Sequence, residues 1–188
     1  MTDLVLHTLR CIGFAGLSRV ADASSLAEPE VESRLIDLAV AGLVTRTAGE
    51  FRAWGLTEAG RAEDASRTAR ELDAGGARGA VTEAYGKFLE LNPELLDLCS
   101  AWHLRAERGI PAERVLAAFG DLDQRAEAVC ADLAAAVPRF GRYRVRLGDA
   151  LGRARGGALE HLTDTLDSYH NVWFQLHEDL LATLGIPR

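Results

Sequence analysis

The stretch GEFRAWGLTEAGR, from Gly49 to Arg61, contains a turn, a strand pattern and a helix start in direct succession. The turn is followed by residues 51–56, in which apolar and polar residues alternate as they do in a half-buried strand. Thr57 is a preferred N-cap residue, and the polar helix that it opens is expected to run to about Asp73. Because the β-branched segment 43–47 comes before the turn at 48–50, the stretch predicts a hairpin that leads directly into a helix.

The residues before this hairpin predict three helices. Apolar residues recur at helical spacing from about residue 2 to Gly13 or Gly16, from 18 to 24, and from Pro29 to 41. Proline suits the first turn of a helix, and Gly42 suits the end of one. Three helices, a hairpin and a further helix follow the order of a winged helix-turn-helix, with the hairpin as the wing.

Two segments extend this interpretation to a family. AGLVTR (41–46) and WGLTEAGR (54–61) resemble bacterial winged-helix transcriptional regulators of the MarR and PadR type, in which a strand ends in a Leu-Thr-x-x-Gly turn into the next helix. The resemblance covers residues 35–61 well and the first two helices loosely. It implies an N-terminal domain over residues 1–75 that binds double-stranded DNA.

The resemblance also implies the residues of the DNA interface. One group would lie on the outer face of the third helix, a second at the start of the second helix near phosphates, and a third beside the wing tip. In that order, the groups are Ser33, Arg34 and Asp37; Ser18 and Arg19; and Arg46 and Arg52.

The charge of the chain leaves a second function open. The formal net charge is −7, and residues 1–56 carry five arginines against seven acids. Counterion release from phosphates drives most non-specific DNA affinity, so an acidic domain is expected to bind DNA weakly unless it binds as a dimer. A protein-interaction adaptor that uses the winged helix without touching DNA is the alternative.

The second half predicts an antiparallel helical bundle over residues 76–188. Its apolar residues alternate by three and four, as in the narrow seam of a bundle. We expect helix ends before Pro93, at Gly109–Pro111 and at Pro138, and a last helix from Leu159 to Leu180. Because winged-helix regulators use two copies for two half-sites, we expect a homodimer joined through this bundle, as in the PadR plan.

The bundle also has a candidate site for a small anionic or aromatic effector. Residues 139–155 contain six arginines and one acid, and guanidinium groups suit phosphates and carboxylates. Aromatic residues and two histidines seven apart complete the pattern. The candidate ligand-binding residues are Trp102, Arg142, Tyr143, Arg146, Tyr169, His170, Trp173 and His177. The alternatives are arginines paired with acidic neighbours, rings packed in a core, and histidines hydrogen-bonded within the bundle.

Other classes of function find little support in the sequence. The three cysteines, at 11, 99 and 130, have neither disulfide nor CxxC spacing, and we expect buried, unreactive thiols. No spacing predicts a metal site, a cofactor or a concerted catalytic site, so an enzyme is the least favoured class. Without a signal-peptide pattern or a bilayer-length apolar run, we expect a cytoplasmic protein with no membrane partner.

Overall fold

A computed structural model describes residues 2–47 and 52–187. Within these ranges the chain forms eight α-helices and one antiparallel pair of short strands, which confirms the prediction of a mainly helical protein. Two compact units are present: residues 1–78 together with 177–188, and residues 79–176. Throughout the described ranges, none of the helices combines the length and hydropathy that a bilayer span requires.

The first unit contains the elements predicted around the opening stretch. Its helices and strands, in chain order, are α1 (Leu4–Ile12), α2 (Leu17–Ser24), α3 (Glu28–Val40), β1 (Val44–Arg46), β2 (Trp54–Leu56) and α4 (Glu58–Ala74). Each boundary lies within a few residues of the sequence-based expectation. The turn predicted at residues 48–50 and the strand start at Phe51 lie outside the described residues.

An apolar core holds the first three helices and the hairpin together. α1, α2 and α3 each turn one apolar face inward, and one residue of each strand joins them. The core consists of Val5, Leu6, Leu9, Ala15, Val20, Ala21, Val31, Leu35, Leu38, Val44 and Leu56, all buried. The hairpin is therefore part of the folded core of this unit and not an appendage.

The hairpin pairs with a third segment of the chain. In the register of β1 and β2, Val44 lies opposite Leu56 and Arg46 opposite Trp54. Ala15, between α1 and α2, forms an antiparallel bridge to Trp54, with N···O distances of 2.8 and 2.9 Å in the two hydrogen bonds. This bridge fixes the end of α1 against the second strand.

The Leu-Thr-x-x-Gly turn explains why the hairpin runs directly into a helix. The Thr57 hydroxyl accepts a hydrogen bond from the Gly60 N–H at 3.0 Å and donates one to the Gly42 carbonyl at 2.8 Å. A Cβ atom on Gly60 would lie 1.9 Å from the Leu43 carbonyl oxygen. Only glycine permits this approach, which places the first turn of α4 against the chain entering β1.

The second unit contains the long helices of the bundle. These are α5 (Arg78–Arg108), α6 (Ala112–Ala136) and α7 (Gly141–Arg155), with the first half of α8 (Tyr169–Leu184). Short 3₁₀ segments at Pro138–Phe140 and Leu159–His161 connect them. The expected helix end at Gly109 is confirmed, and this glycine has a φ of 63°.

The expected helix end before Pro93 is wrong, because α5 continues through it. A proline inside a helix removes one backbone hydrogen bond and costs about 3 kcal/mol. Phe88, Leu91 and Leu95 are buried on both sides of the proline, so the apolar stripe of α5 is unbroken there. Packing of this stripe outweighs the cost of the proline.

The last helix begins at Tyr169 and not at Leu159. In the segment before it, the Asn171 side-chain amide donates to the Thr165 carbonyl at 2.7 Å, and the Asn171 backbone N–H donates to the Ser168 hydroxyl at 3.3 Å. These side-chain hydrogen bonds stabilise a turn at residues 165–168 and a helix start at Tyr169, and they replace the backbone bonds that a continuous helix would make there. Leu166, which lies inside the expected helix, is exposed.

We predict that Gly60→Ala destabilises the protein by about 2 kcal/mol or more, because the added methyl group meets a backbone carbonyl that has no room to move. The matched control is Gly86→Ala in α5, where no atom beyond the helix's own neighbouring backbone lies within 4 Å of the added Cβ. That variant should gain about 0.5–1 kcal/mol from the better helix former. Urea unfolding measures both; equal effects of the two substitutions would contradict this account of the turn.

Candidate functional site

The residues predicted for the outer face of the third helix are exposed on α3. Ser33, Arg34 and Asp37 are accessible, whereas Val31 and Leu35 lie in the core. The helix therefore presents these three polar side chains to solvent along its middle turns, together with the exposed Ile36. Whether this face contacts DNA stays a prediction.

An ion pair reduces the positive potential of that face. Arg34 Nη2 lies 2.8 Å from Glu30 Oε1, one turn earlier on α3. Both side chains are more than two-fifths exposed, so solvent screens the pair and its contribution to stability is small. The ion pair has a larger consequence for DNA binding, because the Arg34 guanidinium that could contact a phosphate is already paired with Glu30.

The remaining predicted interface residues lie on α2 and the hairpin. Ser18 is exposed in the first turn of α2, and Arg19 beside it is half-buried. Arg46 ends β1 with its guanidinium 5.2 Å from the centre of the Trp54 ring, which restrains the side chain by a cation–π contact. Arg52 is exposed just before β2.

The predicted effector residues divide between the two units. Those of the second unit lie on α5, α7 and the first half of α8, and one further residue of α8 belongs to the first unit. The first set is Trp102, Arg142, Tyr143, Arg146, Tyr169, His170 and Trp173; the other residue is His177. An effector site in these residues remains a proposal.

Several aromatic residues of the second unit contact one another in its interior. The ring centres of Phe88 and Trp173 are 4.5 Å apart, and those of Tyr169 and Trp173 are 6.4 Å apart. Phe119 meets Tyr169 edge to face at 5.6 Å. These separations are typical of packed aromatic cores, so the rings fill space that a ligand would otherwise occupy.

One acid of the second unit organises its polar interior. Asp123, on α6, accepts two hydrogen bonds from the Arg144 guanidinium at 2.6 and 2.9 Å and one from the Tyr169 hydroxyl at 3.1 Å. Burial, followed by the negative charge of Asp123, raises the pKa of Tyr169. The hydrogen bonds to Asp123 raise the pKa of Arg144, so the tyrosine stays neutral and the arginine charged.

The arginine-rich segment is thus partly paired within its own unit. Arg144 pairs with Asp123, and Arg153 pairs with Asp167. These pairs follow the alternative in which arginines of 139–155 meet acidic neighbours. His170, on α8, is half-buried, and burial together with the nearby His103 lowers its pKa, which keeps the imidazole neutral at pH 7.

The first unit contains a buried polar cluster that the sequence did not predict. His7, on α1, has its Nδ1 atom 3.0 and 3.1 Å from the two carboxylate oxygens of Asp64 on α4. Its Nε2 atom lies 2.8 Å from Asp179 Oδ1 on α8. All three side chains are at most 1% exposed. Each ring nitrogen therefore shares a proton with a carboxylate.

A thiol lies beside this cluster. Cys11 Sγ, one turn after His7 on α1, is 3.8 Å from His7 Nε2. The candidate ligand atoms of His7, Cys11 and Asp179 all lie within 4.8 Å of one another. An imidazole, a thiol and a carboxylate at this separation form a ligand set that suits zinc and similar divalent metals.

The other two cysteines lie in different surroundings. Burial raises the pKa of Cys99 and of Cys130 to about 11, so both stay protonated at neutral pH. Since the thiolate is the metal ligand and nucleophile, these two residues fit the prediction of unreactive thiols.

The cluster was missed because its members are far apart in the sequence. The one local signal is His7 and Cys11 at a spacing of four, in the segment HTLRC, which places both on one face of a helix. Asp64 occurs in a polar-rich helix, where nothing distinguishes it from its exposed neighbours. Only the packing of α1 with α4 and the end of α8 in one unit brings the acids to the histidine.

Comparisons with known proteins identify no relative: no protein-family model, no curated protein and no solved structure matches this chain.

We predict that Asp64→Asn destabilises the protein by about 2 kcal/mol, measured after treatment with a chelator to remove any bound metal. Both carboxylate oxygens of Asp64 now face His7 Nδ1, whereas an amide offers that nitrogen one uncharged oxygen and leaves its NH₂ group buried beside it. The control is Asp73→Asn on the same helix, where the side chain is mostly exposed and the expected change is within about 0.5 kcal/mol. Urea unfolding at neutral pH provides the comparison. A stability loss no larger than that of the control would show that the buried pair contributes little.

Proposed function

We propose that this protein is a DNA-binding transcriptional regulator whose first unit is a winged helix-turn-helix. The observation that carries the proposal is the bridge between Ala15 and Trp54. It adds a short extended segment after α1 to the hairpin, so the order becomes helix, strand, helix, helix, two strands and helix. This order, over one apolar core, is what a winged helix requires.

In this proposal α3 enters the major groove and the hairpin contacts the adjacent backbone. Ser33, Arg34 and Asp37 are the side chains available for base edges, because they are exposed along one face of α3. Arg46 ends β1 and Arg52 comes just before β2, and both side chains are exposed. Phosphate contacts position such a protein and base-edge contacts give its sequence preference.

The acidity of the chain sets the expected binding regime. An interface with few arginines releases few counterions, so binding by one copy is weak at physiological salt. Two copies on two half-sites multiply the contacts, which is why we include homodimerisation through the bundle in the proposal. Control by a small anionic or aromatic effector at the bundle is a further part of it, and catalysis is not.

Fluorescence anisotropy tests the proposal on DNA from upstream of the protein's own gene and on a scrambled duplex, at several salt concentrations. We expect tighter binding to the upstream DNA and a linear fall of log affinity with log salt. Equal and feeble binding to both duplexes at low salt would count against self-regulation and shift support to the adaptor function.

We predict that Arg46→Ala and Arg52→Ala each weaken binding to both duplexes to a similar extent and reduce the salt slope by about 1, as expected for loss of one phosphate contact. The matched control is Arg70→Ala on α4, an exposed arginine outside the proposed interface. An unchanged slope in the first two variants would remove the wing from the interface.

A protein-interaction adaptor is the second candidate, and a specific observation favours it. Ile36 and Val40 are 52% and 86% exposed on α3, one turn apart, on the helix that begins with Glu28 and Glu30. Apolar side chains at the centre of an acidic face suit a partner protein with a basic, apolar surface better than they suit phosphates.

The substitution Ile36→Arg separates the two functions. If α3 lies against DNA, an added guanidinium on this face should tighten binding and steepen the salt slope by about 1. The matched control is Val145→Arg at an apolar residue of α7 that is similarly exposed. Under the adaptor function, the two variants should have the same small effect on DNA affinity.

A further inference from the structure

We propose that His7, Cys11 and Asp179 form a binding site for a divalent metal ion of the zinc class, with Asp64 as the residue that positions His7. The donors are His7 Nε2, the Cys11 thiolate and Asp179 Oδ1. Their clustering in a buried part of the first unit is the observation that carries the proposal.

The distances between the donors are close to those that zinc requires. A tetrahedral zinc ion separates a nitrogen and an oxygen ligand by about 3.3 Å, and a nitrogen and a sulfur ligand by about 3.6 Å. The corresponding separations from His7 Nε2 are 2.8 Å to Asp179 Oδ1 and 3.8 Å to Cys11 Sγ. These two separations differ from the tetrahedral values by about half an ångström or less, and the separation between Asp179 Oδ1 and Cys11 Sγ is at most 4.8 Å.

Two of the ligands have the supporting contacts that metal sites use. The Asp64 carboxylate faces His7 Nδ1, which directs Nε2 toward the other donors as in the carboxylate–histidine–metal arrangement. The Thr183 hydroxyl, one turn after Asp179 on α8, donates to Asp179 Oδ1 at 3.0 Å. Cys11 follows His7 by one helical turn, so α1 presents both side chains on one face.

Metal binding would leave the charge of the buried cluster unchanged. Without metal, the short N···O distances require a proton in each contact between His7 and its two carboxylates, and an un-ionised Cys11 thiol has one of its own. A divalent ion displaces two protons, one from the contact between Nε2 and Asp179 and one from Cys11. The two positive charges of the ion replace those of the two released protons, so the net charge of the buried cluster does not change.

The ligand types select the class of ion. Thiolate and imidazole suit zinc, whereas magnesium and calcium prefer oxygen ligands alone. Three protein donors leave a tetrahedral ion one further position for water or a small ligand. Cobalt(II), which adopts the same geometry and absorbs visible light, is the probe for the experiment.

The test uses the full chain, stripped of metal with a chelator and kept reduced, and titrated with cobalt(II). We expect saturation at one ion per chain, with the thiolate-to-cobalt charge-transfer band in the near-ultraviolet and the visible bands of a tetrahedral ion. Added zinc should bleach these bands, and saturating zinc should raise Tm by about 5 °C or more.

Variants assign the donors. Cys11→Ser should lose the charge-transfer band and bind cobalt at least tenfold more weakly, whereas Cys99→Ser, at an equally buried cysteine, should bind as the wild type does. Asp64→Asn should keep the band and weaken binding about 10- to 100-fold, because Asp64 positions a ligand without being one.

A wild-type chain with no charge-transfer band, or with uptake that never saturates, would overturn the proposal. Should Cys11→Ser fail to fold, alkylation of the wild type decides: zinc must protect Cys11 while leaving the slow reaction of Cys99 and Cys130 unchanged. None of these readouts involves nucleic acid, so the outcome is independent of the outcome for DNA binding.

Discussion

The first unit depends on the close contact between Gly60 and the Leu43 carbonyl. Thr57 and Gly60 join the segment after the hairpin to the segment before it. The Thr57 hydroxyl donates to the Gly42 carbonyl, and Gly60 lets α4 start against the backbone at Leu43. This contact fixes the direction of α4, and with it the position of Asp64 beside α1. The residue pattern that resembles a regulator family is therefore also the steric requirement of the turn.

Much of this unit was predictable from local sequence. Glycine and proline positions, the Thr57 cap and apolar spacing give α1 to α4 and the hairpin within a few residues, because each of these signals acts over one or two turns. The failures were also local in origin. In the second unit, proline propensity predicts a helix end at Pro93, but packing continues the helix through it. Apolar spacing predicts a helix over Leu166, but the side-chain bonds of Asn171 and Ser168, which follow no periodic pattern, start the helix later.

The candidate site was far less predictable than the fold. The exposure of Ser33, Arg34 and Asp37 follows from helical periodicity, and the spacing of four between Glu30 and Arg34 permits their ion pair without establishing that it forms. The buried polar contacts join residues separated by tens of positions, such as Asp123 with Tyr169. Apolar periodicity predicts which face of a helix is buried, but not which polar atoms meet there.

The proposed metal site and the proposed DNA face lie in the same unit, and one can affect the other only through a difference in binding free energy between two states of that unit. A metal ion on His7, Cys11 and Asp179 would join α1 to the end of α8, while α3 carries the proposed DNA face. Binding at one place alters affinity at the other only by the difference in metal affinity between the DNA-competent and DNA-incompetent states. An ion that binds both states equally would stabilise the unit and leave DNA affinity unchanged, so a buried site by itself argues for structural stabilisation before regulation.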